Sequence, residues 1–240
     1  MRHFFTACAS LLLLLITYSP TVLGATDARW YGALKASISE DTIDSIKVQG
    51  IGTGMLISGQ VDGALEDDEV EDYTAGIGFA VGRRMGFWNI EVEYVYGYRT
   101  DWDVVTSTPS IQTITNVFNN VETNTVMLNF ARRGPISQDW SWEAGAGLGL
   151  TFESLDSDYI ERETVNTQEQ KFSASSDETE FTYAVFAGLT RDLGGPWTFS
   201  TRLRYIDMGK LNAGPFPNRP GRARANHSAI ELQFSLERNF

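Results

Sequence analysis

The chain has 240 residues and a formal net charge of -12, and 42% of its residues are hydrophobic, 12% aromatic and 21% charged. The length suits a single domain, and the acidic balance argues against a nucleic-acid partner. Cys8 is the only cysteine and precedes the first apolar run. If the N-terminal segment is removed, disulfides, thiol catalysis and cysteine metal sites are excluded from the remaining chain.

The N-terminus has the pattern of an export signal. Basic residues precede an apolar run over residues 11–16, and small residues follow at 22-VLGA-25. The run is much shorter than the ~18 residues that a spanning helix needs, which favours a cleaved signal peptide over a membrane anchor. We predict that residues 1–24 are removed and that residues 25–240 form one domain.

Apolar and polar residues alternate repeatedly along the rest of the chain. No window of ~11 residues keeps a 3.6-residue apolar period, so strands are favoured over helices. The alternation predicts eight strands, at residues 29–39, 72–83, 87–100, 123–132, 140–153, 180–192, 196–207 and 226–240.

The predicted connections alternate between long and short. The long ones are polar and cover residues 40–71, 101–122, 154–179 and 208–225, and the short ones lie at 84–86, near Gly134 and at Gly194-Gly195. Long loops at one end and short turns at the other are typical of outer-membrane barrels. Residues 43–59 form either a further hairpin or an extension of the first loop, and we favour the extension because glycines interrupt the alternation.

The two faces of the predicted strands differ in side-chain volume. One face carries bulky residues such as Trp88, Val92 and Tyr98, whereas the other carries charged residues and small ones such as Gly76 and Gly78. The interior of an eight-stranded barrel is just wide enough for side chains to fill it, so the bulky face must turn outward. We predict an all-β fold: an eight-stranded antiparallel transmembrane β-barrel with up-and-down meander topology.

Several segments carry a family resemblance. They are 30-WYGALKAS-37, 89-NIEVEYVYGYR-99, 142-WEAGAGLGLTF-152, 185-VFAGLTRDL-193, 198-TFSTRLRYIDMG-209 and the terminal strand that ends in Phe240. In this order they resemble the small outer-membrane β-barrel family that includes the opacity proteins and the membrane domain of outer membrane protein A. The resemblance implies a place in the bacterial outer membrane.

The same resemblance implies a role for the C-terminal strand. In that family the terminal aromatic strand is the insertion signal read by the barrel-assembly machinery, which corresponds here to Phe234, Leu236 and Phe240. Arg238 departs from the family pattern, which usually has an aromatic or apolar residue at that position. Family members serve as surface antigens, adhesins, envelope-stabilising proteins or narrow pores.

The predicted interior contains charged residues that must find partners there. They are Lys35, Glu91, Glu93, Glu143, Arg202, Arg204 and Glu231, with Glu237 as a further candidate. We expect Glu231 to lie near Arg202 or Arg204 and near Lys35. Paired charges would plug the lumen, because unpaired buried charges carry a large desolvation cost. The alternative is an ion gate that opens when the pairs exchange.

A lipid hydrolase is the enzymatic alternative. After signal removal His227 is the only histidine, and Ser228 and Glu231 follow it. Neighbouring residues of a strand point to opposite faces, so His227 and Ser228 diverge. His227 and Glu231 share a face but lie ~13 Å apart at the usual strand rise. We therefore predict no enzymatic activity, no cofactor and no metal site.

The charges of the predicted loops suggest surface contacts. The acidic runs, 66-EDDEVED-72 and the segment 154–179, form either a solvated face or a site for a basic host surface or for cations that bridge to lipopolysaccharide. The basic residues of segment 208–225 contact either these acidic segments or anionic lipid headgroups.

We predict a non-enzymatic outer-membrane surface protein, an envelope-structural or adhesin-like antigen. A narrow, porin-like channel for ions or small apolar solutes is the alternative function. The expected partners are outer-membrane lipid and lipopolysaccharide, the barrel-assembly machinery during insertion, and a host-surface ligand bound through the loops.

Overall fold

A computed structural model describes residues 29–49, 64–65, 69–108, 113–163, 169–216 and 222–240. Nine strands cover most of them: β1 Arg29–Gln49, β2 Ala64–Leu65, β3 Val70–Met85, β4 Trp88–Thr108, β5 Thr113–Pro135, β6 Trp140–Glu163, β7 Glu169–Gly194, β8 Trp197–Ala213 and β9 Arg222–Asn239. The predicted signal peptide, residues 1–24, lies outside the described residues. Within the described part of the chain, no helix is long and apolar enough to cross a membrane.

The long strands close into a barrel. Strands that follow one another in the chain pair antiparallel, from β3 round to β9, and β1 pairs with both β3 and β9. The two-residue β2 pairs only with residues 106 and 107, at the C-terminal end of β4. The eight long strands thus form a closed antiparallel meander, which confirms the predicted fold class.

The strands extend well beyond their predicted ends on the long-loop side. β6 has 24 residues and β7 has 26, roughly twice the 9–11 residues that cross a bilayer. The predicted extents of the loops at 40–71, 101–122, 154–179 and 208–225 are therefore wrong, because much of each belongs to strands. Residues 43–49 continue β1, and residues 50–59 lie outside the described residues.

Breaks in the strand register explain why the sequence pattern ended early in β1, β4 and β8. The pairing shifts between Asp44 and Lys47, between Gly97 and Thr100, and between Asp207 and Gly209. Each shift reverses which parity faces inward: Val95 points into the barrel below the shift in β4, and Trp102 does so above it. A β-bulge therefore resembles the end of a strand when only the alternation is read.

The opposite end of the barrel is closed by short connections. Gly86 and Phe87 link β3 to β4, and Gly86 has a φ of 60°, which suits glycine in a two-residue hairpin. Residues 136–139 and 195–196 form the other two turns. Both ends of the described chain meet here, since the Phe240 amide donates a 2.9 Å hydrogen bond to the carbonyl of Trp30.

The outer surface next to the short turns is apolar. Side chains such as Leu34, Phe79, Leu148 and Phe181 are between 56% and 70% exposed, which is the pattern of a lipid-facing band. The band covers about ten residues of each strand, as expected for a bilayer, for example 30–40 in β1, 142–152 in β6 and 230–240 in β9. A closed barrel with this band and a polar interior belongs in the bacterial outer membrane.

Candidate functional site

The lumen at membrane level is the candidate functional site. All seven charged residues predicted for the interior point into it, and none is more than 5% exposed. They come from five strands: Lys35 from β1, Glu91 and Glu93 from β4, Glu143 from β6, Arg202 and Arg204 from β8, and Glu231 from β9. Alternation places them inside because each lies on the parity opposite to the lipid-facing residues.

Glu91 is the centre of the lower part of this network. Its carboxylate accepts hydrogen bonds from Lys35 Nζ at 2.6 Å, from Arg202 Nη1 at 2.8 Å and from the Tyr31 hydroxyl at 2.7 Å. Arg202 Nε also donates to Glu143 Oε1 at 2.5 Å. In the order of strands around the barrel, β8 lies opposite β4, so the Arg202–Glu91 bond spans the lumen.

Arg204 organises the upper part of the network. Its Nε donates to Glu231 Oε2 at 2.6 Å, and its Nη1 bonds Glu93 across the lumen. Lys35 also bonds Glu93 and lies 3.3 Å from Gln233 Oε1. Glu231 thus reaches Arg204 as expected, whereas the interactions described for Lys35 are with Glu91, Glu93 and Gln233.

Every charge in the network is paired with an opposite charge. Three cations face four carboxylates, and Asn129 donates further hydrogen bonds to Glu91 and Glu93. Such pairing is required of ions in a dry interior, because the desolvation cost of an unpaired ion is large. Glu237 forms a separate pair nearer the short turns, with Arg84 and with the Ser200 hydroxyl at 3.0 Å.

Small residues make room for this lumen. Tyr31 is fully buried beside the network, and a Cβ added at Gly82 on the neighbouring strand would lie 2.3 Å from the Tyr31 ring. Glycine at position 82 is therefore required by the close approach of the tyrosine. The glycines that the sequence placed on the inner face act here as space for larger neighbours.

A histidine cluster lies above the network, beyond the lipid-facing band. His227 is fully buried; its Nδ1 lies 3.0 Å from Glu153 Oε1 and its Nε2 lies 3.6 Å from Asp41 Oδ2. The second distance is too long for a hydrogen bond but short enough for an ion pair. The Thr100 hydroxyl donates to Asp41 at 2.7 Å. Residues of β1, β4, β6 and β9 thus meet at this level.

The facing carboxylates keep His227 charged. Burial disfavours the imidazolium, but Asp41 and Glu153 outweigh that effect and raise the pKa of His227 to about 9. Burial also raises the pKa of Glu153, and the contact with His227 offsets part of this increase. The cluster therefore holds a charged histidine across the lumen at neutral pH.

An apolar core fills the barrel above the histidine. It contains Ile43, Ile46, Trp102, Val117, Val121, Leu155, Tyr159, Leu211, Ala213, Phe216, Ala223 and Ala225. Trp102 and Val117 are completely buried, and Tyr159 packs against Phe216 with 5.2 Å between ring centroids. The extension beyond the membrane therefore has the interior of a water-soluble domain.

Sequence reasoning missed both of these upper layers. The sequence pattern places Asp41 and Trp102 in loops and ends a strand at Glu153, although Glu153, Leu155 and Tyr159 continue the inward parity of β6 without interruption. That continuous parity was the available signal. For β1 and β4 no comparable signal exists, because the register shifts reverse the parity.

The residues predicted to form the insertion signal lie on the outer face of β9 and at the residue that follows it. Phe234 and Leu236 are 38% and 42% exposed, and Phe240 is 76% exposed. Arg238, the departure from the family pattern, lies on the same face with its guanidinium carbon 5.9 Å from the centroid of the Phe240 ring. The strand therefore keeps an aromatic and aliphatic surface around the single charge.

Two openings in the surface accompany the lumen. The β3–β4 ladder ends at Gly76–Gly97, and a cavity of about 40 Å³ lies behind this point, lined in part by Asp41, Thr74 and Met208. A larger depression of about 350 Å³ lies on the extension between β5, β6 and β7, where polar residues such as Asp156, Asp158 and Ser173 line it. Among the described residues, no group of His, Cys, Asp and Glu is arranged to hold a metal ion.

Solved structures of several outer-membrane barrels are similar to this chain. Neisserial surface protein A is 10% identical with a TM-score of 0.48, and the match covers 88% of this chain and 97% of that one. Ail, the attachment invasion locus protein of Yersinia pestis, solved with the heparin analogue sucrose octasulfate, is 8% identical with a TM-score of 0.39, covering 86% and 98%. The outer membrane protease OmpT of Escherichia coli is 9% identical with a TM-score of 0.40, covering 92% and 100%.

These likenesses are of fold alone, and they include both surface proteins and a protease. No protein-family model matches the chain, and no curated protein is detectably similar in sequence. The architecture therefore rests on the chain's own strand pairing and surface. The closed eight-strand meander, the lipid-facing band and the charged lumen together make this chain a small outer-membrane β-barrel protein.

Proposed function

We propose that this protein is a non-enzymatic, non-conducting surface protein of the outer membrane, with an envelope-structural or adhesin-like role. The observation that supports this best is the occupation of the barrel axis at successive levels. Ion pairs cross the lumen within the membrane, the His227 cluster crosses it above, and an apolar core fills the extension. An ion moving along the axis would have to break each layer.

The surroundings of His227 support the absence of hydrolase chemistry. The ring is fully buried and faces carboxylates, whereas Ser228 lies on the opposite face of β9. A serine nucleophile must contact its base for activation. His227 is better explained as a structural contact between β9 and the strands facing it across the lumen.

The extension is the part of the molecule that a partner would meet. Its outward face on β6 and β7 carries Asp156, Asp158 and Asp177, with Lys171 among them. An acidic, hydroxyl-rich depression suits a basic protein surface or bridging cations better than a polyanion such as the heparin analogue bound to Ail. We therefore assign adhesin-like contacts to this face.

Planar-bilayer recording tests the non-conducting role. The purified full-length protein should insert without reproducible single-channel steps, because all three cations of the network are locked to carboxylates. Arg202→Ala should be recorded beside it, with Lys171→Ala on the outer face as a matched control. Stable steps from the wild-type protein that match those of Arg202→Ala would contradict the proposal.

Surface attachment tests the adhesin-like role separately. Asp156→Lys together with Asp177→Lys reverses charge on the acidic face without touching the interior. Cells that display this variant should bind less to a positively charged surface, while Lys47→Glu on the other side of the extension should not reduce binding. Equal binding by all three proteins would limit the role to envelope structure.

A narrow channel is the second candidate function. The interruption of the β3–β4 ladder beyond Gly76 and Gly97 favours it, because a cavity lined partly by lumen-facing residues lies behind the gap. A volume of about 40 Å³ holds roughly one water molecule. Side chains also bridge the gap, since the Thr74 hydroxyl donates to the Tyr98 carbonyl at 2.9 Å. Solute passage would require these contacts to open.

A further inference from the structure

The rim of the barrel at the short turns, which is the periplasmic side in outer-membrane barrels, carries a repeated pairing of tryptophan with arginine. Four cross-strand pairs occupy it: Trp30 with Arg83, Trp88 with Arg132, Trp140 with Arg191 and Trp197 with Arg238. They lie at every second strand interface, β1–β3, β4–β5, β6–β7 and β8–β9. The pairing therefore recurs around the circumference at one level of the barrel.

In three of the pairs the guanidinium lies over the tryptophan ring at cation–π distance. The guanidinium carbon lies 5.5 Å from the ring centroid for Arg83 on Trp30, 5.5 Å for Arg191 on Trp140 and 5.8 Å for Arg238 on Trp197. These distances fall within the ~6 Å limit of a cation–π contact. A contact with a ring does not use all five N–H donors of the guanidinium, so two of them remain available for a bidentate acceptor.

The arginines of these three pairs are exposed and contact no carboxylate of the described residues. Within the described part of the chain, Arg83, Arg191 and Arg238 form no ion pair with Asp or Glu. The turn carboxylates nearby belong to Asp139 and Asp192, and Asp192 accepts a hydrogen bond from the amide of Gly194 at 3.0 Å. Cationic edges are thus presented outward by a protein whose net charge is -12.

The depth of the Trp–Arg pairs in the membrane determines which molecules they contact. The tryptophans are between 38% and 57% exposed and mark the lower border of the lipid-facing band, where amphipathic rings sit among headgroups. The guanidinium groups therefore lie beside the headgroups of the inner leaflet. A phosphodiester is an anionic acceptor available at that depth, and guanidinium binds its two non-bridging oxygens through two parallel hydrogen bonds.

We propose that the stacked Trp–Arg pairs form a ring of binding sites for anionic phospholipids of the inner leaflet. Each arginine contacts the phosphate of one lipid, and its tryptophan fixes the guanidinium at headgroup depth. Anionic lipids are favoured over zwitterionic ones, because the latter bring their own cation to the phosphate. This inference is independent of the function of the lumen and of the extension.

The test compares spin-labelled phosphatidylglycerol with spin-labelled phosphatidylcholine around the full-length protein in phosphatidylcholine vesicles. The fraction of label immobilised by the protein reports lipid association. Wild-type protein should favour phosphatidylglycerol by about fivefold, the effect of one basic group at a membrane surface. The combined variant Arg83→Gln, Arg191→Gln and Arg238→Gln should lose this preference.

Two matched variants locate the effect. Lys47→Gln with Arg222→Gln and Arg224→Gln removes three exposed charges from the extension, where Lys47 and Arg224 are cross-strand neighbours, and should keep the preference. Replacing the three rim arginines with lysine keeps the charge but removes the planar fork, and most of the preference should be lost. Full retention by the lysine variant, or an equal loss in the extension variant, would overturn the stacked-pair site.

A folding check keeps the test decisive. Each variant should show the heat-modifiable gel shift of the folded barrel before lipids are compared. If the triple glutamine variant does not insert, Arg191→Gln and Arg238→Gln are measured singly, and the wild-type preference is followed as salt is raised. A preference that survives both single changes and high salt, or equal immobilisation of the two lipids by the wild-type protein, would overturn the proposal.

Discussion

The membrane half and the extension of this barrel have opposite interiors on the same eight strands. Within the membrane, Phe79 is 56% exposed on the outside while Glu91 is 1% exposed inside; in the extension, Trp102 is fully buried inside. The difference follows the surrounding medium, since lipid accepts apolar side chains and water accepts charged ones. The closed barrel provides hydrogen-bond partners for the backbone equally well in both media. Only the distribution of polar and apolar side chains between the two faces has to change.

The reversal takes place over a few residues, and in three strands it coincides with a change of register. The register shifts at 44–47, 97–100 and 207–209 turn the inward parity of β1, β4 and β8 at about the level of His227. In these three strands the parity that faces lipid below faces the interior above, whereas β5, β6 and β9 keep one inward parity and change only the type of residue on it. The two halves should therefore be stabilised by different forces: paired charges below and hydrophobic burial above.

Breaking the charged half should have the largest effect. Arg202→Ala combined with Arg204→Ala leaves Glu91, Glu93, Glu143 and Glu231 with only Lys35 as a cationic partner in the network. Removing one partner of a buried pair costs about 3–5 kcal/mol, and here two partners are lost. Urea titration of the protein folded in vesicles should show a large loss of stability, and the folded form on semi-native gels should resist less heat.

A replacement of Arg202 that keeps the positive charge separates the effect of charge from that of hydrogen-bond geometry. Arg202→Lys retains a cation but cannot bond Glu91 and Glu143 through a planar fork, so an intermediate loss is expected. Stability equal to wild type in the double alanine variant would mean that water fills the lumen and solvates the carboxylates. That outcome would also remove the main support for a plugged barrel.

Disrupting the apolar core of the extension should lower the stability of the protein less than disrupting the charged network. The effect should also be confined to the extension. Trp102→Ala empties the centre of the extension core, and large-to-small changes of this kind cost about 3–5 kcal/mol where the core cannot collapse. Because the membrane half has its own network, amide exchange should accelerate in the upper parts of β4, β5 and β6 and stay slow below. Uniform acceleration along these strands would show that the halves are one cooperative unit.

The difference between the two halves also explains which parts of the fold could be predicted from the sequence. Alternation located all eight strands and the charged interior, because within the membrane the inner and outer faces differ in both polarity and volume. The extension was mistaken for loops, since acidic residues such as Asp156 and Asp158 on the outer face of β6 are typical of a loop. Contacts such as Glu153 with His227 join strands on different sides of the lumen, so no local pattern predicts them.

The His227 cluster lies where the two halves meet, and its contribution to the stability of the protein should depend moderately on pH. The pKa of His227 is raised to about 9 from the ~6.5 of an unfolded histidine. The stabilising contribution is therefore complete below pH ~6.5 and is lost as the pH rises through 9, with a total of up to about 3 kcal/mol. Urea titrations between pH 6.5 and 10 should show this decline in the wild-type protein.

A variant assigns the decline to the histidine. His227→Gln keeps a polar side chain of similar length but does not titrate, so its stability should be lower at pH 6.5 and should change little up to pH 10. The pKa of Glu153 is also raised, and its contribution is present when it is protonated and lost as pH rises through its folded value. Equal slopes for the two proteins above pH 7 would contradict a charged His227.

The smallest effect on stability should come from a change on the charged surface of the extension. Such a change serves as the control for the changes in the interior. Lys171 Nζ lies 3.0 Å from Asp158 Oδ2, and the two side chains are 55% and 41% exposed. Exposed pairs contribute about 0–1 kcal/mol, because water solvates both ions when they separate. Lys171→Ala should therefore shift the urea midpoint little, whereas the ion pairs in the lumen should shift it strongly. A loss comparable to that of Arg202→Ala would mean that this face is covered in the membrane-inserted protein, and the interior contrast between the two halves would then not extend to their outer surfaces.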